Sequence, residues 1–154
     1  MAATFPRLFL APLLALLALP AHPANKAGVI TNTRPLVFGK FIAAGGGTIT
    51  ITPLGARSKT GGVVLLNGVT ATSASYTLSE TGTGKALTWR NITLPGTATL
   101  SNGTATMTLS NFVSNPAATM GTSTVLTVGA TLTVAANQAP GNYTGTFSVT
   151  VDYN

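Results

Sequence analysis

The sequence predicts an all-β protein, an antiparallel sandwich of about eight or nine short strands. Three observations carry that prediction. Apolar and hydroxyl residues alternate with period two in residues 48–52, 73–79, 97–109, 124–136 and 143–153. Gly, Pro and Asn punctuate these runs at regular spacing, and no amphipathic helical period follows residue 24. Strands that succeed one another without helices between them argue against a parallel, doubly wound sheet.

Residues 1–24 read as a secretory signal peptide. Arg7 supplies the positive start, residues 8–19 the apolar segment, and Pro20-Ala-His-Pro-Ala24 the small-residue cleavage zone. Cleavage is expected after Ala24, with Ala21 and Ala27 as alternatives. The apolar segment is shorter than the roughly 20 residues a spanning helix needs, so no membrane span is expected after cleavage. Residues 25–35 form an N-terminal arm and residues 36–154 one sandwich domain. The expected location is outside the cytoplasm: periplasm, cell surface or medium. Without cysteines, stability must come from the core and the strand ladders.

Only 6% of the residues are charged, and the net charge is +6. Lys26, Arg34, Lys40, Arg57, Lys59, Lys85 and Arg90 are scattered and form no run interleaved with aromatics, so nucleic acid is not an expected partner. A soluble, Thr-rich surface accounts for the basic balance.

Taken in order, the arm carries Val29 and Ile30 as its apolar anchors, and Pro35 limits it to an edge position. Leu36-Val-Phe-Gly39 and Phe41-Ile42 form the first apolar segment, Gly45-Gly-Gly47 is expected to turn the chain, and residues 48–52 form a strand ending at Pro53. Residues 54–60 read as a basic loop and residues 61–66 as a strand buried on both sides. After Asn67-Gly68, residues 73–79 place Ala74, Tyr76 and Leu78 inward. Leu87 and Trp89 share one parity while Ile92 and Leu94 share the other, which predicts a bulge near Arg90-Asn91. Residues 97–101 and 104–109 flank Asn102-Gly103, the dipeptide of a two-residue hairpin turn. Residues 111–123 read as a loop, and residues 124–136 as a strand with Leu126, Val128, Ala130, Leu132, Val134 and Ala136 on one face. The last strand puts Tyr143, Phe147, Val149, Val151 and Tyr153 inward, with Gly141 and Gly145 at small positions and Thr144, Thr146, Ser148, Thr150 and Asp152 outward.

Catalysis finds little to work with. After leader removal there is no His or Cys, and Glu80 and Asp152 are the only carboxylate side chains, placed on a loop and on the polar face of the last strand. Metal ligation and cofactor binding lack ligand sets, and hydroxyl nucleophiles lack a base. Neither Gly45-Gly-Gly47 nor Gly84-Lys85 has the spacing of a phosphate loop. Trp89 beside Arg90 offers a platform for a sugar, although a lone Trp on a strand is more often core. No enzymatic activity is expected.

Leu36-Val-Phe-Gly39, Gly47-Thr-Ile-Thr-Ile-Thr-Pro53, Gly61-Gly62, Val128-Gly129-Ala-Thr-Leu-Thr-Val134 and the final strand, in that order, resemble a family of short secreted bacterial proteins, domain of unknown function 4402. The family has no established activity; the resemblance implies export and a β-sandwich. The C-terminus also resembles the end of chaperone-usher pilus subunits, which carry a penultimate aromatic and a glycine fourteenth from the end, here Tyr153 and Gly141. That resemblance implies an immunoglobulin-like sandwich completed by strand addition, from a periplasmic chaperone and then from the arm of the next copy, with Val29 and Ile30 on the donated strand. The arm is short, and the disulfide many such subunits carry is absent. Two functional classes stay open: a pilin-like or surface-adhesion subunit, and a monomeric secreted sandwich that binds a ligand such as a glycan.

Overall fold

The computed structural model describes residues 26–82, 87–115 and 123–153, except that the side chains of Trp89, Arg90, Ser123 and Thr124 lie outside the description. Its described residues form nine strands: β1 Ala27–Arg34, β2 Phe41–Ile51, β3 Arg57–Leu65, β4 Ala74–Thr81, β5 Trp89–Thr93, β6 Thr97–Ser101, β7 Thr106–Asn115, β8 Ser123–Val134 and β9 Thr150–Tyr153. All pairings are antiparallel. Seven strands form one sheet, β5 and β9 a second, and the result is an open sandwich.

Strand β8 organises the large sheet. On one edge it pairs with β7, and on the other it pairs first with β4, through Val128, and then with β2, from Ala130. Gly129 sits at the change of partner, where a Cβ would run into the Ile51 carbonyl, so only glycine lets the end of β2 come this close. Its alternate residues Leu126, Val128, Ala130, Leu132 and Val134 are all buried, as their parity predicts.

The change of partner divides the interior in two. One cluster gathers Ile49, Ile51, Val63, Met107, Leu109 and Leu132 under Phe38 and Tyr143. The other sets Ala74, Leu78, Leu126 and Val128 against Ile92, Phe147, Val149 and Val151 from the small sheet and its approach. Phe112 packs in both, its ring 5.0 Å from that of Phe147. Tyr143 pins the approach to the final strand: its hydroxyl donates to the Ala139 carbonyl and receives a hydrogen bond from Gln138 Nε2.

Several local expectations are corrected. Gly45-Gly-Gly47 is not a turn between strands; β2 runs through it with a bulge between Ala43 and Gly47. The bulge presses against Gly61 and Gly62 of β3, where side chains on either strand would collide. The basic loop is shorter than expected, because Arg57, Ser58, Lys59 and Thr60 pair with Ile51 through Thr48 as the start of β3. An edge strand tolerates such residues, since half of its surroundings is water. For the same reason the 61–66 segment is not buried on both sides: Val63 is buried, but Val64 is 46% exposed.

In the β6–β7 hairpin, Ala98 opposes Leu109 and Leu100 opposes Met107 as expected, but the loop spans Asn102 to Ala105. Asn102 Oδ1 accepts hydrogen bonds from the backbone N–H groups of Thr104 and Ala105. Only Gly103 has positive φ there, so the turn is an Asn-capped loop rather than the two-residue type. Strand β7 continues to Asn115 through a kink at Asn111, which has φ 50°, so residues 111–115 of the expected loop are strand, and residues 116–122 of it lie outside the described residues. Ala136 is exposed, beyond the end of β8.

Candidate functional site: the two chain ends

The sequence directs attention to the arm and to the C-terminal stretch. The arm is strand β1, an edge strand whose partner is β4, with register Ala27 to Thr81 through Arg34 to Ser75. Its side chains bury little: Val29 is 36% and Ile30 40% exposed. Attachment is chiefly polar. Thr33 Oγ1 donates to the Ser75 carbonyl at 3.1 Å, and Arg34 donates to the Ser73 carbonyl and hydroxyl at 3.0 and 3.1 Å.

At the other end of β1, Lys26 Nζ pairs with Glu80 Oε2, while Glu80 Oε1 accepts the Leu87 N–H at 2.7 Å. The hydrogen bond from Lys26, joined by the one from the Leu87 backbone, outweighs desolvation and holds the Glu80 carboxyl below the usual carboxylate range. Glu80 is not a loop residue, as expected from its Gly/Thr surroundings, but the penultimate residue of β4; from there it ties the arm to β4 and to the segment entering β5.

The C-terminal stretch behaves differently. Tyr143, Phe147, Val149 and Val151 are half-buried, and Thr144, Thr146, Ser148, Thr150 and Asp152 between them are exposed, as the alternation predicts. Tyr153 departs from this pattern, being 45% exposed where the dry face reaches the rim of β9. The stretch is also not one strand. Thr144 exchanges both backbone hydrogen bonds with Ser101 at the end of β6, and only Thr150–Tyr153 pairs again, with β5. Between them, residues 145–149 make no backbone hydrogen bond among the described residues. The chain passes from the edge of one sheet to the other here, and no single neighbour follows it.

Two glycines serve this passage. Gly145 lies so close to β6 that a Cβ would enter the Thr99 carbonyl. Gly141 has φ 146° beside the Asn102 side chain, whose amide donates to the Pro140 carbonyl. In the register of the small sheet Trp89 lies opposite Tyr153, with the bulge between Trp89 and Asn91 expected from the parity switch. The Trp89 side chain lies outside the described residues.

The structure thus places the sequence-designated residues in two groups. Val29 and Ile30 lie on β1, opposite Ser79 and Leu78 of β4, while Tyr143, Phe147, Val149 and Val151 line the dry side of the last stretch. Among the described residues the arm pairs with β4 and not with that stretch. Among the described residues there is no cluster of His, Cys, Asp or Glu that could hold a metal ion, and no helix long and apolar enough to cross a membrane.

A family model described as "Domain of unknown function (DUF4402)" matches residues 29–153. The chain belongs to this family. The matched region begins inside β1 and ends on the last residue of β9, so it takes in most of the arm strand and the C-terminal stretch through Tyr153. No curated protein and no solved structure matches the chain.

Proposed function

We propose that this DUF4402 protein is an exported, non-catalytic subunit of pilin-like or surface-adhesion type that assembles with other copies of itself by β-strand addition. The observation that carries this reading is the C-terminal stretch. Its side chains turn toward the core on alternate positions, yet among the described residues the backbone of 145–149 makes no hydrogen bond. Such a stretch offers main-chain groups for an added strand beside a row already in register.

The donor is the arm. Most of its attachment to β4 is backbone ladder, which a neighbouring copy supplies equally well, and its two apolar side chains are partly exposed where they lie. Transfer from the chain's own β4 to the open side of the next copy is a head-to-tail contact, which builds a linear assembly rather than a closed dimer. A periplasmic chaperone would occupy the same open side before assembly.

Mixed cysteine variants test this, since the chain has no native cysteine to confuse the result. Thr31→Cys chains mixed with Ser148→Cys chains should give mixed disulfide dimers whose yield rises with protein concentration. Failure of that pair to cross-link at any concentration would refute the reading.

A further inference from the structure

A second feature lies away from both chain ends. Arg57, the first residue of β3, stands at the wall of a cleft of about 500 Å³ formed with the 66–71 segment. The cleft is shallow and open, so a ligand there would be held at the surface by a few polar contacts rather than enclosed. Asn67 and Thr70 add an amide and a hydroxyl, and Leu66, Val69 and Gly55 supply apolar or unhindered walls.

The guanidinium is fixed from behind. Nη2 donates to the Lys40 carbonyl at 2.8 Å and Nη1 to the Leu66 carbonyl at 3.4 Å. Gly39, at φ 75°, backs onto the head group, where a Cβ would stand 3.2 Å from Cζ. Nε is enclosed without an acceptor, and burial pushes the group's pKa down from the ordinary arginine value.

No carboxylate among the described residues balances this charge: the one ion pair there joins Lys26 to Glu80, and Asp152 lies on β9. Two carbonyls use only part of the donor capacity of the fork, which matches the planar geometry of a carboxylate.

We propose that this cleft binds a small carboxylate, the class that includes the uronic acids of acidic polysaccharides, with Arg57 as the charged contact and Asn67 and Thr70 as neutral donors. Because Nε is enclosed, the contact is made through the Nη N–H groups alone. The lining holds no aromatic ring, so recognition rests on charge and hydrogen bonds rather than on stacking.

The test is an NMR titration of the full chain from residue 25 with sodium galacturonate, alongside galactose and sodium sulfate. Saturable amide shifts at Gly55, Asn67, Gly68 and Thr70 with galacturonate, and none with galactose, are expected. Arg57→Gln should weaken binding about tenfold or more, the worth of a hydrogen bond to a charged group. Because Arg57→Gln also removes the clamp on the Lys40 and Leu66 carbonyls, Asn67→Asp provides a second variant that leaves the clamp intact. Its added carboxylate should abolish binding while the melting temperature stays near that of the parent chain. The proposal is overturned by the absence of saturable shifts, by equal shifts with sulfate, or by unchanged affinity in Asn67→Asp. A trisaccharide of galacturonate binding more tightly than the monomer would identify the polysaccharide end as the source.

Discussion

The arm strand and the C-terminal stretch are held in opposite ways. Strand β1 has a nearly continuous ladder to β4 and little buried side chain, whereas residues 143–151 have half-buried alternate side chains and, among the described residues, a ladder interrupted for five residues. Backbone hydrogen bonds are interchangeable between copies, while side chains seated in a core are specific to their site. The difference suits the first end to leave and the second to receive.

Truncation should expose this contrast most strongly. Phe147 packs on Phe112 and the Leu78–Leu126 cluster, so Phe147→Ala should cost about 3 kcal/mol in denaturant unfolding. Ile30→Ala, at a 40% exposed position, should cost less than about 1 kcal/mol. Comparable costs at the two positions would erase the distinction. Gly145→Ala should lie between them, at about 1–3 kcal/mol, because the Thr99 carbonyl leaves no space for a methyl group and β6 must shift.

The smallest expected effect concerns the tie between Lys26 and Glu80. A carboxylate whose folded pKa is depressed adds stability above its unfolded pKa and loses it as pH falls through the folded value. Arm docking should therefore weaken below the usual carboxylate range and stay constant above it. Hydrogen exchange of the Gly28 to Thr31 amides, taken relative to the intrinsic rate at each pH, should accelerate there in the parent chain, and Glu80→Gln should be fast already at neutral pH. Rates unchanged by both pH and Glu80→Gln would show that the backbone ladder alone holds the arm.

Much of this fold is legible in the sequence, because parity is a local property. The five buried alternates of β8, the inward residues of β4, the bulge in β5 and the half-buried residues of the C-terminal stretch all follow from period two. Pairing is not local, and there the reading falls short. Arg57 and Lys59 look like loop residues until Ile51 and Ile49 are seen to need an edge partner. The triple glycine looks like a turn until β3 brings its own glycines against it. The last stretch looks like one strand because its alternation never breaks, although its partner changes from β6 to β5.

The chain ends themselves were marked by Val29, Ile30, Tyr143, Phe147, Val149 and Val151, but which edge the arm would choose was not written in its composition. The Arg57 cleft had no sequence signal at all, since it depends on Gly39, Lys40 and the 66–71 segment meeting one side chain.

The central claim is that the arm must leave β4 for copies to assemble, and a reversible lock tests it directly. Thr31 lies opposite Thr77 in the β1–β4 register, so Thr31→Cys combined with Thr77→Cys can form a disulfide that holds the arm on its own chain. Molar mass by light scattering should be that of a single chain when the pair is oxidised, and should grow by whole subunits with concentration once it is reduced. Identical masses in the two states would contradict the account.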